Sequence, residues 1–384
     1  MTSDTLPASA TGLLTIDLGQ IARNWQALSR RVAPAACGAV VKANAYGLGA
    51  DRVIPALSQA GCRTFFIATP AEAIEARKLA PTATIFALDG LMPGAGQALI
   101  PAAAIPVLSS LREVRDWVAL AQSTGMTLPA ALHIDSGLNR LGMTEADVHT
   151  LVAATDLLAA LDLRLVMSHL ACADDPQDQK NEQQRATFDR LRALLPPAPA
   201  SLAASDGLML GRNYHFNLVR PGYALYGGQA FKGEKTPVHP AVRAAARVLQ
   251  VRDVAPGETV GYAGSWTAQR HSKIAVIAAG YADGYLRAAS SAPDRLGGIV
   301  SIKGEFAPIA GRVSMDLITA DITDMKAHVE RGDLAELIGP DLSVETVGQH
   351  AGTIGYEILT SLSRRFHRHY IVSDDPALGD PSDG

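Results

Sequence analysis

The chain has 384 residues, 48 % hydrophobic and 19 % charged, with a formal net charge of −4. That length and mix fit a soluble protein of one large domain and a smaller one, and the spread of its basic residues leaves no electrostatic footprint for nucleic acid. The three cysteines, Cys37, Cys62 and Cys172, stand alone, without the paired spacing of a disulfide framework or a zinc site.

Residues 1–12 lack the basic and apolar runs of a signal peptide and read as a flexible lead-in. No apolar run reaches the roughly 18–20 residues of a membrane helix, so a cytoplasmic location is expected. Between about 35 and 225, short apolar runs alternate with helical patterns. The runs are Cys37–Val41, Thr64–Ala68, Ile85–Leu88, Ile105–Leu108, Ala130–Ile134, Leu165–Ser168, Pro199–Ala203 and Leu218–Val219. Helical periods cover Ala71–Leu79, Ser110–Ser123 and Glu182–Leu195. Eight buried strands with helices between them predict an α/β fold, a (β/α)8 TIM-type barrel over 13–240; the pattern alone also allows a doubly wound sheet. From 241 to 372 the strands are separated by Gly and Pro turns, which predicts a mostly β second domain. The acidic tail 373–384 reads as flexible.

The first barrel run ends in Lys42, followed by Tyr46 in a Gly-rich turn. Barrel enzymes keep their active sites at this end of the strands. A lysine there is either a solvated strand terminus or an amine that condenses with an aldehyde cofactor. The segment AVVKANAYGLGA resembles the pyridoxal-phosphate (PLP) segment of bacterial alanine racemases, although Leu48 stands where the family usually has His.

Further segments follow in the family's order. NLVRPGYALYG is similar to the stretch whose arginine, here Arg220, faces the cofactor's ring nitrogen. A guanidinium only donates, so such a nitrogen stays unprotonated and the cofactor is a weaker electron sink, which favours proton exchange over transamination. Around the phosphate the resemblance implies Ser205, Tyr46, Tyr356 and the backbone of Gly222 and Tyr223. VGYAGSWTA is similar to the segment with the second catalytic base, here Tyr262. AAGYADGY matches the entrance segment, with Tyr281 at the inner gate and Arg287 further out; GYADG also reads as a hairpin turn. GRVSMD matches the loop closing the substrate pocket, where Met315 would offer its N–H to the substrate carboxylate, with Arg312 and Asp316 as neighbours. HIDSGLNRLGM places Arg140 as the carboxylate arginine, and MSHLACAD places His169 as the link between Arg220 and the second base.

The family often has a carbamylated lysine where this chain has His133, so Arg140 is expected to be held by His133, water or an anion. Ala204 and Ser201 replace a common Asn and His beside the phosphate and Arg220. The resemblance implies racemisation of L- and D-alanine by two bases, Lys42 and Tyr262, supplying or consuming D-alanine. It also implies a homodimer in which Tyr262 and Met315 serve the other subunit's site. A broad-specificity amino-acid racemase is the nearest alternative. A PLP amino-acid decarboxylase is the next, though no acidic group near GRVSMD suits a distal amine.

Overall fold

The computed structural model describes residues 6–234, 236–292 and 295–372. The first residues and the tail from 373 on, expected to be mobile, fall at or beyond these limits. Two compact units emerge: one formed by 21–225 and 229–238, the other by 1–20, 226–228 and 239–384.

The strands up to the end of the first unit are β1 (Gly12–Asp17), β2 (Ala36–Cys37), β3 (Ala39–Val40), β4 (Thr64–Ile67), β5 (Thr84–Ala87), β6 (Ala104–Leu108), β7 (Pro129–His133), β8 (Asp162–Met167), β9 (Ala200–Ser201) and β10 (Leu218–Val219). From β3 to β9 each pairs in parallel with the next. The ring closes through β10. Asn217 and Arg220 donate backbone N–H groups to Ala200 and Ala203 at 3.0 and 2.9 Å, β10 pairs in parallel with β2, and Val40 N donates to Pro221 O at 2.8 Å. The result is a closed parallel barrel, and the weak apolar run at Leu218–Val219 is its eighth member.

Strands covered on both faces read as continuous apolar runs, and every residue of β6 is buried. The helices between them carry explicit stop and start signals. Ser110 accepts from Glu113 N at the start of helix Leu111–Thr124, and Gly125 closes that helix in the left-handed conformation. Thr69 caps helix Pro70–Leu79 in the same way, with proline in its first turn.

The remaining strands are β11 (Val242–Val254), β12 (Thr259–Val260), β13 (Trp266–Thr267), β14 (Ser272–Ile277), β15 (Ile299–Ile302), β16 (Glu305–Pro308), β17 (Ile318–Asp321), β18 (Leu334–Ile338) and β19 (His367–Ile371). Their main sheet runs β16-β15-β18-β11-β1-β19, with β14 and β17 attached through β11. Two expectations change here. The first strand, β1, is not part of the barrel; it lies between β11 and β19 in this sheet. Residues 6–12 are also not loose: Leu6 is buried, and Arg247 donates to the carbonyls of Leu6 and Ala10 at 3.1 and 3.3 Å. Among the described residues no helix is long and apolar enough to cross a membrane.

Candidate active site

Lys42 lies two residues past β3, at the C-terminal end of the barrel strands. The next residues, Ala43, Asn44, Ala45 and Tyr46, all have φ between 53° and 55°. Left-handed backbone costs about 1–2 kcal/mol for each residue with a Cβ, so this turn exists only because other bonds hold it. Ala45 N donates to Val41 O at 2.8 Å and Gly47 N to Ala43 O at 2.7 Å. The Asn44 side chain accepts from Ala50 N at 2.8 Å. The Glu72 carboxylate accepts from Ala43 N at 2.7 Å and from Ala68 N at 2.8 Å.

The Lys42 amine is half-buried and makes no hydrogen bond or ion pair among the described residues. Its pKa is lowered, first by burial and then by the Arg140 charge; Asp89 and Glu72 oppose the shift and Arg220 adds to it. A lysine desolvated among cations and left without a carboxylate partner is poised to be a neutral nucleophile or base.

Arg220 follows β10 and is 3 % exposed. Its Nη1 donates to Ser201 Oγ at 2.5 Å, and its Nη2 to Ser168 O at 2.7 Å and Leu202 O at 3.4 Å. Nη2 also meets His169 Nδ1 at 3.4 Å. The guanidinium sits 5.9 Å from the centroid of the Phe66 ring. All of its partners are neutral, and burial lowers its pKa to about 9, which still leaves it charged at neutral pH. Its Nε–H is without a partner among the described residues, a directed donor available to an acceptor at the barrel mouth.

His169 is held from behind. Gln184, on helix Lys180–Arg192, donates to His169 O at 3.1 Å and accepts from Ala171 N at 2.8 Å. Ser136 and Ser168 share a buried hydroxyl contact of 2.7 Å beside it. Burial, then Arg220, brings His169 down to about 3, so its imidazole is neutral.

Next to Arg220 lies a small cradle of backbone donors. Gly222 N and Ala224 N both point at Ser205 Oγ, at 3.0 and 3.2 Å. A Cβ on Gly222 would collide with the Tyr46 hydroxyl, so glycine is required for the tyrosine to close on this backbone. Converging amides, a serine hydroxyl and a tyrosine hydroxyl suit a phosphate, and a half-buried lysine amine with a guanidinium N–H left unbonded among the described residues suits a pyridoxal ring with its aldehyde. The residues present fit pyridoxal phosphate.

Arg140 rides on a loop built by Asp135, whose Oδ1 accepts from the N–H groups of Gly137, Leu138 and Asn139 at 2.9, 2.9 and 3.1 Å. The chain then doubles back so closely that a Cβ on Gly142 would lie 2.6 Å from Asp135 N. Arg140 itself is exposed and unbonded among the described residues. His133 is buried at the end of β7, and burial followed by the Arg220 charge lowers it to about 4. Among the described residues no hydrogen bond joins His133 to Arg140.

The second unit carries the other candidates. Tyr262 is 70 % exposed at the tip of the β12–β13 hairpin, where Gly261 and Ala263 both have positive φ. Tyr281 lies in a 3₁₀ turn, Tyr281–Asp283, ended by left-handed Gly284; the expected hairpin at GYADG is therefore a 3₁₀ turn instead. Backbone bonds tie this turn to the GRVSMD loop, from Tyr281 N to Ser314 O at 3.0 Å and from Ala282 N to Met315 O at 2.9 Å. Gly280 lies so close to those carbonyls that a Cβ could not fit. Met315 is exposed and its own N–H is unbonded among the described residues. Arg287 and Arg312 are exposed on the same unit, and Tyr356 sits in helix Gly355–Ser361. Arg365 clamps the pair of segments, donating to Asp316 Oδ1 at 2.7 Å and lying 3.4 Å from Asp283 Oδ1.

Glu72, Gln184, Ser136, Ser168 and Arg365 went unmarked in the sequence. Each acts through backbone or through another side chain; Ser136 and Ser168 stand inside HIDSGLNRLGM and MSHLACAD, whose pattern singles out Arg140 and His169 instead.

Residues 16–230 match the family model "Alanine racemase, N-terminal domain", and residues 241–370 match "Alanine racemase, C-terminal domain". The catabolic alanine racemase of Mesorhizobium japonicum is 46 % identical over 366 residues, 95 % of this chain and 94 % of that one. The biosynthetic alanine racemase of Agrobacterium fabrum is 42 % identical over 369 residues, 94 % of each chain. The crystal structure of alanine racemase from Bartonella henselae, with covalently bound pyridoxal phosphate, superposes with a TM-score of 0.90 at 40 % identity, covering 94 % of this chain and all of that one. With family models over both units and relatives above 40 % identity along nearly its whole length, the chain belongs to the alanine racemase family.

Proposed function

We propose that this chain interconverts L- and D-alanine with pyridoxal 5′-phosphate held on Lys42, as a homodimer whose second base is Tyr262. Bound pyridoxal phosphate supplies the electron withdrawal that makes the substrate Cα–H acidic. The chain's own residues do the rest.

Lys42 holds and moves a proton on one face of Cα. Burial and the Arg140 charge lower its pKa, which favours the neutral amine for that task. Tyr262 serves the opposite face, because one base cannot easily reach both sides of a planar carbon. Arg220 offers Nε–H to the ring nitrogen and keeps it unprotonated, since a guanidinium has no proton-accepting site. Ser205, Gly222, Tyr223, Tyr46 and Tyr356 take the phosphate. Arg140 and the Met315 N–H take the substrate carboxylate. Tyr281, Arg287 and Arg312 line the way in.

The homodimer accounts for two features of the second unit. Tyr262 and Met315 project at 70 % and 53 % exposure, an unusual state for residues given catalytic roles. A second copy would cover them and bring them to the barrel mouth. The barrel is taken to run to about residue 240, with the β domain beyond.

The single observation that carries the reading is the unpaired, half-buried Lys42 beside the fully buried Arg220 and its neutral partners. Asp316 is the one carboxylate of the GRVSMD loop, and Arg365 already occupies it, which leaves nothing there for the distal amine of a decarboxylase substrate. The test is chiral chromatography of L-alanine incubated with protein and pyridoxal phosphate, run beside serine, lysine and arginine. Appearance of D-alanine at a rate above the other amino acids supports the reading; L-alanine that stays optically pure sinks it. Equal rates across the panel would assign a broad-specificity racemase instead.

A further inference from the structure

Ala43–Tyr46 is the one run of consecutive non-glycine residues with positive φ among the described residues, and it begins directly after Lys42. Its own turn bonds resemble those of any single turn, so something outside must select this handedness. Glu72 is the external anchor that reaches its first amide. We propose that Glu72 is the positioning residue of Lys42: by accepting from Ala43 N–H and Ala68 N–H together, its carboxylate pins the left-handed turn to the end of β4 and holds Lys42 at the barrel mouth. The inference rests on the reading of Lys42 as the cofactor lysine.

The geometry is over-determined in the way such a strained turn requires. β3 and β4 pair in register, Ala39 with Phe65 and Val40 with Phe66, and Val41 N donates to Phe66 O at 2.9 Å. Lys42 and Ala68 therefore leave neighbouring strands at the same end. Thr69 then caps helix Pro70–Leu79, which sets Glu72 in its first turn with its N–H on Thr69 Oγ1 at 3.3 Å. A carboxylate is favoured at a helix N-terminus, and only an ionised one offers acceptors on both oxygens. Glutamine would turn an NH₂ toward one of the two amides. The same negative charge also supports the protonated form of Lys42 against burial.

The test compares wild type, Glu72→Gln and Glu75→Gln as full-length protein. Glu75 lies three residues further along the same helix, paired with exposed Lys78 at 2.7 Å. Hydrogen exchange of peptides covering 42–49 is expected to quicken about tenfold or more in Glu72→Gln, the effect of one lost charge-assisted bond. The pH midpoint for trace acetylation of Lys42 in the apoprotein should move down in the same variant. Neither should change in Glu75→Gln. Wild-type exchange and midpoint in Glu72→Gln would overturn the proposal. If that variant does not fold, Glu72→Asp, which keeps the charge but reaches less far, should show the faster exchange with the midpoint retained; wild-type exchange in it would overturn the proposal equally. Borohydride fixation of the cofactor is mapped in wild type alongside. Fixation at another lysine would sink the reading of Lys42 and leave the hold of Glu72 on the turn to be judged by exchange.

Discussion

Arg220 Nη1 donates to Ser201 Oγ at 2.5 Å, and that hydroxyl gives its single proton to Leu218 O, also at 2.5 Å. The serine is thereby fixed as an acceptor toward the guanidinium. The guanidinium thus has a hydroxyl partner whose orientation does not depend on pH. Ser201→Ala leaves a buried charged donor unmet and should cost about 1–3 kcal/mol in unfolding free energy. Urea titration checks this, and Ser201→Thr should restore most of the loss. An alanine variant as stable as wild type would mean that Arg220 finds another acceptor.

Gly222 is required by its neighbour. A Cβ there meets the Tyr46 hydroxyl, so Gly222→Ala should push the tyrosine away from the amides that converge on Ser205. The expected outcome is a folded protein whose affinity for pyridoxal phosphate falls by about tenfold or more, the effect of losing one well-placed hydrogen bond to a charged group. Fluorescence titration of the apoprotein measures it. Unchanged affinity would remove Tyr46 from the phosphate site.

His133 and His169 are neutral in the folded protein, at about 4 and about 3, with burial the main cause and Arg220 the next in both. An unfolded histidine titrates near about 6.5. As pH falls from there toward the folded values, the unfolded chain takes up protons that the folded chain refuses. Stability is therefore fully present above about 6.5 and is lost progressively as pH falls, down to about 4 for His133 and about 3 for His169. His133→Gln should flatten the slope of unfolding free energy in that window by up to about 1.4 kcal/mol per pH unit, the weight of one proton. An unchanged slope would contradict the buried neutral imidazole.

The same residue predicts indifference to carbon dioxide. Histidine has no primary amine to carbamylate, and no hydrogen bond joins it to Arg140. Activity in buffer stripped of bicarbonate should equal that in air-equilibrated buffer. A reversible loss on stripping would show that a carbamate elsewhere holds Arg140.

Two bases on opposite faces imply unequal losses. Tyr262→Phe should slow proton exchange at Cα of L-alanine far more than at D-alanine, by about a hundredfold or more for a missing acid–base group. Deuterium wash-in followed by NMR reads both directions. Equal losses for the two enantiomers would remove Tyr262 as a base.

Much of the barrel was legible because its signal is local. Thr64–Ala68 was expected and Thr64–Ile67 forms; Ala71–Leu79 was expected and Pro70–Leu79 forms. A buried parallel strand announces itself by an apolar run, and a helix by its cap and period. What stayed hidden depends on partners far along the chain. Residues 13–17 fall within the span expected for the barrel, yet β11 and β19 claim both edges of the strand Gly12–Asp17. The sequence Ala-Asn-Ala-Tyr contains no glycine and two strong helix formers, so nothing local announces a left-handed turn; Glu72, from another element, closes on its first amide. In the site, Lys42, Arg220 and Arg140 stood in motifs, whereas Gln184 holds the His169 carbonyl and Ser168 takes Arg220 on its own carbonyl, backbone contacts that side-chain identity does not reveal.

The central claim is that Lys42 carries the cofactor. Protein loaded with pyridoxal phosphate, reduced with borohydride and digested, should yield one pyridoxyl-modified peptide, with the label on Lys42. Lys42→Ala should give no such peptide and form no D-alanine from L-alanine. A label on any other lysine, or racemisation that survives Lys42→Ala, would contradict the account.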